Sequence, residues 1–228
     1  MLNSVRFGIR VKFVVRFLFA ALFTLQLFSF THHANAQVTA TAPVAELPQY
    51  DNRWDLYGGF QYSHFNPSPA RSFPANNLLG WNGTATAYFR PIWGISGSLR
   101  GLYGNIDVPT NQYGITSPRM AETLFLFGPT FRFRRRENSA VGAHILIGGT
   151  YGNFDKDFPS GIEPQQVGVY NDKLAFAAAV GASYDYNLSP RLSVRAIGDW
   201  QPTHYGYTWQ NEFAGSVGIV YKMGSLHK

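Results

Sequence analysis

The chain has 228 residues, enough for one domain or two, and its lack of cysteine excludes disulfides and thiolate metal sites. Charged residues make up only 14% of the chain and aromatic residues 16%, whereas about a quarter of the residues in a soluble domain are charged. The formal net charge is +6, but four of the 19 basic residues precede position 17, and the remaining 15 nearly balance 13 acidic residues, which excludes a nucleic-acid-binding surface.

The first 36 residues have the three parts of a secretory signal peptide. A small-residue cleavage motif, Ala34-Asn35-Ala36, follows the apolar run from Phe17 to Phe30. That run is short for a transmembrane helix, which needs about 20 apolar residues. Residues 1–36 are therefore predicted to be a cleaved signal peptide, and residues 37–52 a flexible periplasmic lead-in. The basic residues before the run are Arg6, Arg10, Lys12 and Arg16.

The stretch from Glu122 to Gly152 has the pattern of a β-hairpin. Aromatic residues occupy one face of its first run, and Arg132 and Arg134 lie on the other face. A polar break at 135–139 precedes a second run with the same period of two. An aromatic face needs a second protein layer or lipid to cover it. The apolar positions are Phe125, Phe127, Phe131, Phe133, Val141, Ala143, Ile145 and Ile147.

The same alternation predicts eight strands separated by connections that are alternately long and short. The three longest loops span 66–77, 104–119 and 153–173, and a further connection spans 202–210. The six strands outside the hairpin are Arg53–Phe65, Gly80–Arg90, Ile95–Tyr103, Leu174–Tyr186, Leu192–Gln201 and Asn211–Met223.

Strands of about ten residues cross a bilayer when they are tilted, and alternating long loops and short turns are typical of transmembrane barrels. Because unpaired backbone groups are not tolerated in lipid, such a sheet must close on itself. We therefore predict an all-β fold, an eight-stranded antiparallel transmembrane β-barrel at 53–224, followed by a tail at 225–228. The alternative is a soluble barrel of the lipocalin type, whose polar exterior does not fit the aromatic face.

Two sets of residues follow from this prediction. Charged residues on the polar faces should meet in the lumen, either as an ion path or as a packed network of salt bridges. An eight-stranded barrel is only wide enough for its own side chains, which favours the packed network. The lumen set is Asp55, Arg90, Arg100, Glu122, Arg132, Arg195, Asp199 and Glu212. The second set should form interfacial aromatic girdles and comprises Trp54, Tyr62, Trp81, Trp93, Tyr103, Tyr184, Trp200 and Tyr221.

Three phrases carry a family resemblance: LYGGFQYSHF at 56–65, GWNGTATAYF at 80–89 and LFLFGPTFRFRRRE at 124–137. They resemble the small OmpA- and OmpX-type, porin-like barrels of bacterial outer membranes, over about residues 53–224. The resemblance implies an outer-membrane location with both termini in the periplasm. The implied partners are outer-membrane phospholipid and lipopolysaccharide, the barrel-insertion machinery and an unidentified extracellular ligand.

We expect a structural or surface-interaction role through the long loops, with a lumen plugged by the polar network and with no catalytic residue, cofactor or metal site. One alternative is a narrow ion-conducting pore. The other is a lipid-modifying enzyme similar to the lipid A deacylases, which use a His, a nearby Ser and a Glu. His204 and Glu212 would supply two of these groups, but Gly206 stands where the nucleophilic Ser is needed.

Overall fold

A computed structural model describes residues 50–66, 74–136, 138–154, 156–171, 173–206 and 208–226. The predicted signal peptide and most of the predicted lead-in lie outside these residues. The described part of the chain contains nine strands and one short 3-10 turn, Pro164–Val167. The strands are β1 (Trp54–Asn66), β2 (Asn76–Tyr88), β3 (Trp93–Asn105), β4 (Arg119–Arg135), β5 (Ser139–Asn153), β6 (Leu174–Asn187), β7 (Leu192–Trp200), β8 (Thr203–Tyr205) and β9 (Thr208–Met223).

The strands form a closed antiparallel ring. Each strand from β1 to β6 pairs with the next one, β7 pairs with β9, and β9 pairs with β1 along the whole length of β1. The short strand β8 continues the path of β7 between β6 and β9. The ring therefore has eight crossings and no open edge, as the predicted fold requires. Closure pairs the backbone groups along the wall, which is the condition for a sheet in lipid.

The segment between β7 and β9 differs from the prediction. Residues 202–210 were expected to form a connection, but Thr203–Tyr205 and Thr208–Gln210 pair with each other as the ends of β8 and β9. Gln201 and Pro202 interrupt the path between β7 and β8. Proline has no N–H to donate to a ladder, so an interruption at this position has a simple physical cause.

The strand alternation separates two kinds of surface. Side chains on the outer face are large and apolar; Phe60, for example, is 85% exposed and Leu174 is 75% exposed. Side chains on the inner face include buried Asp, Glu, Arg, Ser and Thr residues. This arrangement is the reverse of a soluble barrel and fits a wall that faces lipid. Within the described ranges, no helix is long and apolar enough to cross a membrane.

The barrel has two distinct ends. The turn end carries the short connections 89–92, 136–138 and 188–191, together with the start of β1 and the end of β9. The loop end carries the long connections 106–118 and 154–173. The β3–β4 loop continues as a hairpin above the barrel, because Ile106 and Val108 hydrogen-bond through their N–H groups to Pro118 and Thr116.

Candidate functional site: the lumen and the loops above it

A cluster of buried charges fills the turn end of the lumen. The carboxylate of Asp55 accepts hydrogen bonds from Arg132 at 3.0 Å and from Arg195 at 2.8 Å. Arg195 also makes a two-point contact with Asp185, at 2.6 and 2.8 Å. The side chains come from β1, β4, β6 and β7, so the cluster spans the barrel. Buried charges are tolerated only when they are paired in this way.

Aromatic rings complete this cluster. The guanidinium of Arg132 lies 4.0 Å from the ring centre of Tyr88 and 5.0 Å from that of Tyr50. The ammonium group of Lys222 lies 4.7 Å from the Tyr50 ring and donates to Asn187 at 2.6 Å. Such cation–π contacts are strongest away from water. Tyr50 therefore covers the turn end of the lumen, with only 8% of its surface exposed.

This placement changes one expectation. Residues 37–52 were predicted to form a flexible lead-in, but Tyr50 and Asn52 are buried inside the barrel. Asn52 donates to Asp55 at 2.5 Å and accepts from Arg132 at 3.2 Å. The backbone carbonyl of Asp51 accepts from Leu226 N–H at 2.7 Å. The chain just before β1 is thus part of the barrel, because polar partners in the lumen hold it there.

A belt of small hydroxyl side chains lies in the middle of the lumen on β2, β3 and β4. Thr86 and Ser96 are 2.7 Å apart, and Ser96 lies 2.5 Å from Thr130. Thr84 donates to Ser98 at 3.0 Å. These hydroxyl groups hydrogen-bond one another across three neighbouring strands, and Ser98 also accepts from Nε of Arg100 at 3.1 Å.

Arg100 links the middle of the lumen to its loop end. It donates to Asp199 at 2.6 Å and to Gln201 at 2.7 Å. Asp199 also lies 2.8 Å from Nε2 of His144. Gln201 in turn donates to Glu212 at 2.7 Å, which connects Arg100 to a second carboxylate through one amide. Arg100 is 1% exposed, so its charge depends on these partners.

Two buried carboxyl groups lie towards the loop end. Glu122 accepts from Thr150 at 2.7 Å and from the Tyr205 hydroxyl at 3.2 Å. Glu212 accepts from Gln201 and from the hydroxyl of Ser63. Both carboxyl groups are fully buried. Within the described residues neither forms an ion pair, in contrast to the carboxylates at the turn end.

A buried apolar cluster lies at the loop end of the lumen. Inward side chains from the strand ends pack against side chains of the two long loops. The rings of Phe154, Tyr170 and Tyr205 pack within 5.1–5.8 Å of one another. We call this cluster the apolar lid; besides these rings it contains Phe65, Leu78, Leu102, Ile106, Val108, Met120, Leu124, Leu126, Leu146, Val167, Val169, Ala177 and Ala179.

The loops above the lid are held by polar contacts. Arg119 makes a two-point contact with Asp157, at 2.5 and 2.9 Å, and its backbone N–H also donates to that carboxylate. Hydrogen bonds from Arg119 lower the pKa of Asp157 to about 2. The hairpin of the β3–β4 loop is joined to β2 by the bond from Asp107 N–H to Asn76 at 3.1 Å. These contacts connect the bases of both long loops to the barrel.

Two small cavities lie among the inward side chains of the described residues. A cavity of about 20 Å³ lies beside Arg100, His144 and Ser183, and one of about 10 Å³ lies beside Tyr88 and Arg195. Each is at most the size of one water molecule.

The structure brings seven of the eight predicted lumen residues into the barrel, and each is at most 7% exposed. These residues are Asp55, Arg100, Glu122, Arg132, Arg195, Asp199 and Glu212. The expectation for Arg90 is corrected, because β2 ends at Tyr88 and Arg90 lies in the exposed β2–β3 turn. In that turn the N–H of Arg90 bonds to the carbonyl of Trp93, so the alternation no longer decides its direction.

All eight predicted girdle residues point away from the lumen and are 38–50% exposed. Four lie towards the turn end: Trp54, Trp93, Tyr184 and Tyr221. Four lie towards the loop end: Tyr62, Trp81, Tyr103 and Trp200. Between the two groups the outer wall carries aliphatic and phenyl side chains such as Leu99, Phe125 and Val217.

Sequence reasoning missed several residues of the lumen. Tyr88, His144 and Asp185 share the parity of inward residues on their strands, so the alternation alone could have found them. Tyr50 precedes the first strand, where no alternation of polar and apolar residues indicates which side chains are buried. The loop residues of the apolar lid are scattered among Asp, Pro, Gly and Gln, and their burial depends on how the loops fold back.

The enzyme alternative requires His204 and Glu212 to act together. His204 lies on the outer side of β8, where its ring packs 4.8 Å from Trp209. Glu212 points into the lumen and is fully buried. Gly206 lies in the turn between β8 and β9 with φ of 59°. The histidine and the glutamate are therefore on opposite sides of the wall, and they do not form a catalytic pair. Within the described ranges, no group of three His, Asp or Glu residues could hold a metal ion.

The closed ring, the polar interior and the apolar exterior define a small transmembrane β-barrel of the outer-membrane type. No protein-family model matches the sequence, and neither does a curated protein. Among solved structures, the outer membrane protein OprG from Pseudomonas aeruginosa has 13% identity and a TM-score of 0.52, over 76% of this chain and 97% of that one. This similarity confirms the predicted fold.

Two further solved structures are similar. The attachment invasion locus protein Ail of Yersinia pestis has 14% identity and a TM-score of 0.49, over 75% of this chain and 99% of that one. Neisserial surface protein A has 11% identity and a TM-score of 0.46, over 75% of this chain and 97% of that one.

Proposed function

We propose that the protein is a non-enzymatic outer-membrane barrel that presents its two long loops as a surface for binding an extracellular ligand. The observation that carries this proposal is the apolar lid, in which side chains of the two long loops pack against inward strand side chains and so hold the loop bases in place. Loops on a rigid scaffold are the usual place for binding residues. The loops at 106–118 and 154–173 are therefore the ligand-binding region in this proposal.

The orientation forms part of the proposal. Short turns and chain termini at one end and long loops at the other are typical of outer-membrane barrels with periplasmic termini. The outward aromatic rings near both ends, such as Trp54 and Trp200, would lie at the two membrane interfaces. The long loops would then face the extracellular medium.

The lumen serves as a structural core in this proposal. Pairing of Asp55 with two arginines, and filling of the loop end by the lid, leave no wide path for a solute. Large solute channels are formed by barrels with many more strands. The narrow-pore alternative thus predicts a conductance that the proposed function does not.

Binding by the loops can be tested with a barrel that lacks them. Replacing 109–114 and 159–163 by short Gly-Ser linkers removes the exposed loop tips and keeps every strand and every residue of the apolar lid. We expect the full chain to bind at least one member of an array of surface glycans and immobilised extracellular-matrix proteins. The variant with shortened loops should lose that binding while it still migrates as a folded band before boiling. Equal binding by both proteins would contradict the proposal.

The enzyme alternative has a separate test. Cells that lack the protein should keep an unchanged lipid A profile by mass spectrometry. A change in lipid A acylation that Glu212→Gln reproduces would favour the enzyme and contradict the proposed function.

A further inference from the structure

The turn end of the barrel carries a row of exposed arginines. At least one lies in each of the three short turns or at the adjoining strand end, and another lies just before β1. All have exposed side chains, and they are spread around the rim because the turns are. We call this set the arginine rim; it comprises Arg53, Arg90, Arg135, Arg136 and Arg191.

The guanidinium groups of the arginine rim lack carboxylate partners within the described part of the chain. The nearby acids Asp55 and Asp185 are buried and bonded to Arg132 and Arg195. Asp51, the other described acid at this end, accepts a hydrogen bond from Ser225 at 3.3 Å. The loop end differs, since Arg119 there is bonded to Asp157. Among the described residues, the turn end therefore presents a row of arginines that can take an external anion.

The rim lies beside the outward aromatic residues. Arg53 directly precedes Trp54, and Arg90 lies between Phe89 and Trp93, whose ring centres are 5.4 Å apart. Aromatic side chains at the ends of membrane strands lie at the depth of the lipid headgroups. Guanidiniums one residue further along the chain would reach the phosphate groups at the same depth.

The use of arginine rather than lysine in the rim also favours phosphate as the bound anion. The exposed cations of the rim are arginines, whereas Lys222, the described lysine at this end, is 3% exposed and bonded inside the lumen. A guanidinium presents two parallel N–H donors that match two phosphate oxygens, and an ammonium group cannot do so. Anionic headgroups also attract basic residues near the membrane surface.

We propose that the arginine rim binds the phosphate groups of anionic phospholipids in the periplasmic leaflet. This inference rests on the orientation in the proposed function, which places the turn end in that leaflet. Lipopolysaccharide carries phosphates as well, but it lies in the opposite leaflet. The rim would then hold a shell of anionic lipid around one end of the barrel.

Tryptophan fluorescence can report lipid binding at this end. Replacing Trp81, Trp200 and Trp209 by Phe leaves Trp54 and Trp93 as turn-end reporters. The folded full-length chain is placed in vesicles of phosphatidylcholine with one fifth phosphatidylglycerol, and either lipid is supplied in brominated form as a quencher. Basic residues near an anionic surface each contribute roughly 1 kcal/mol, equivalent to about five-fold in binding. We expect brominated phosphatidylglycerol to be enriched at least five-fold at the reporters.

A matched pair of variants separates the effect of the arginine rim on lipid enrichment from the effect of total charge. Arg53→Gln with Arg90→Gln removes the two guanidiniums beside the reporters, and we expect the enrichment to fall to about one-fold. Arg119→Gln with Lys156→Gln removes two positive charges at the loop end and should leave the enrichment unchanged. Enrichment that persists in the first variant, or that falls equally in both, would overturn the inference.

Two controls assign the outcome. In vesicles that carry lipopolysaccharide only in the leaflet of the long loops and no phosphatidylglycerol, the Arg53→Gln, Arg90→Gln variant should behave like the unchanged reporter chain; a loss of lipid binding that needs lipopolysaccharide in that leaflet would also overturn the inference. The electrophoretic shift on boiling is measured for each variant. A folded barrel without lipid selectivity counts against the rim alone, whereas an unchanged reporter chain without a folded band counts against the barrel and thus the proposed function.

Discussion

Charged groups meet at the turn end of the lumen, whereas apolar groups meet at the loop end. At the turn end, Asp55 joins Arg132 and Arg195, and Tyr50 covers them. At the loop end, Phe65 and Leu102 pack with loop residues, and both are fully buried. The two halves fill the same narrow cylinder by different interactions.

The difference follows from what covers each end. The turns are too short to fold over the opening, and paired charges and a single tyrosine pack there instead. The long loops bring their own apolar residues, such as Ile106 and Val169, which can bury strand residues without polar partners. Charge pairs depend on every partner being present, while apolar packing tolerates partial loss. The two halves should therefore respond differently to single substitutions.

The largest effect is expected for Asp55→Ala. It leaves Arg132 without its carboxylate partner and removes one of the two carboxylates that pair with Arg195. Breaking a buried pair from one side costs about 3–5 kcal/mol, so we expect the free energy of unfolding to fall by about 4 kcal/mol. Urea unfolding of the barrel in lipid vesicles measures this change.

The matched control is Asp157→Ala, which removes a carboxylate from the exposed pair with Arg119. Exposed pairs contribute little, so the unfolding midpoint of the control should stay at that of the unchanged protein. Equal effects of the two substitutions would show that the turn-end charges do not hold the barrel together.

A smaller effect is expected for Leu102→Ala in the apolar lid. Truncation of a buried leucine removes apolar contacts and leaves a cavity, which costs about 3 kcal/mol. Because the lid also holds the loops, protease cleavage within 154–173 should become faster than in Asp55→Ala. Cleavage at the same rate in both variants would show that the loops are held independently of the lid.

The smallest effect concerns the exposed pair between the loop bases. Its carboxyl group, Asp157, has a pKa lowered from 3.8 to about 2 by hydrogen bonds from Arg119. A lowered folded-state pKa means that the contact stabilises the loop above about pH 4 and is lost as the pH falls towards 2. Protease sensitivity of the loop, measured with pepsin, should rise in that window in the unchanged protein. Asp157→Asn should lack this pH-dependent rise; an identical rise in both would contradict the assignment.

The wall of the barrel could be predicted from the sequence because a period of two is a local property. Phe125 and Phe127 point outward and Asp55 and Arg195 point inward, as the alternation indicates. The prediction for Arg90 was wrong for a local reason, since it extended β2 two residues past its end at Tyr88. Strand ends depend on turn geometry, which alternation does not determine.

The closure of the lumen could be predicted only in part. The charged residues were expected to pair, but the distances that select Asp55 as the shared carboxylate depend on how four strands meet across the ring. Tyr50 and the loop side of the lid, such as Val167 and Tyr170, lie outside the strands. Their burial depends on contacts with distant parts of the chain, and no short-range pattern encodes those contacts.

The proposal that the lumen is closed can be tested most directly by single-channel recording. The folded, purified protein is inserted into a planar bilayer in 1 M potassium chloride, where even a narrow pore conducts measurably. We expect no conductance steps from the unchanged protein, because the turn-end charges and the apolar lid fill the lumen. Regular steps that disappear when the protein is unfolded by boiling would contradict this account and establish the narrow pore instead.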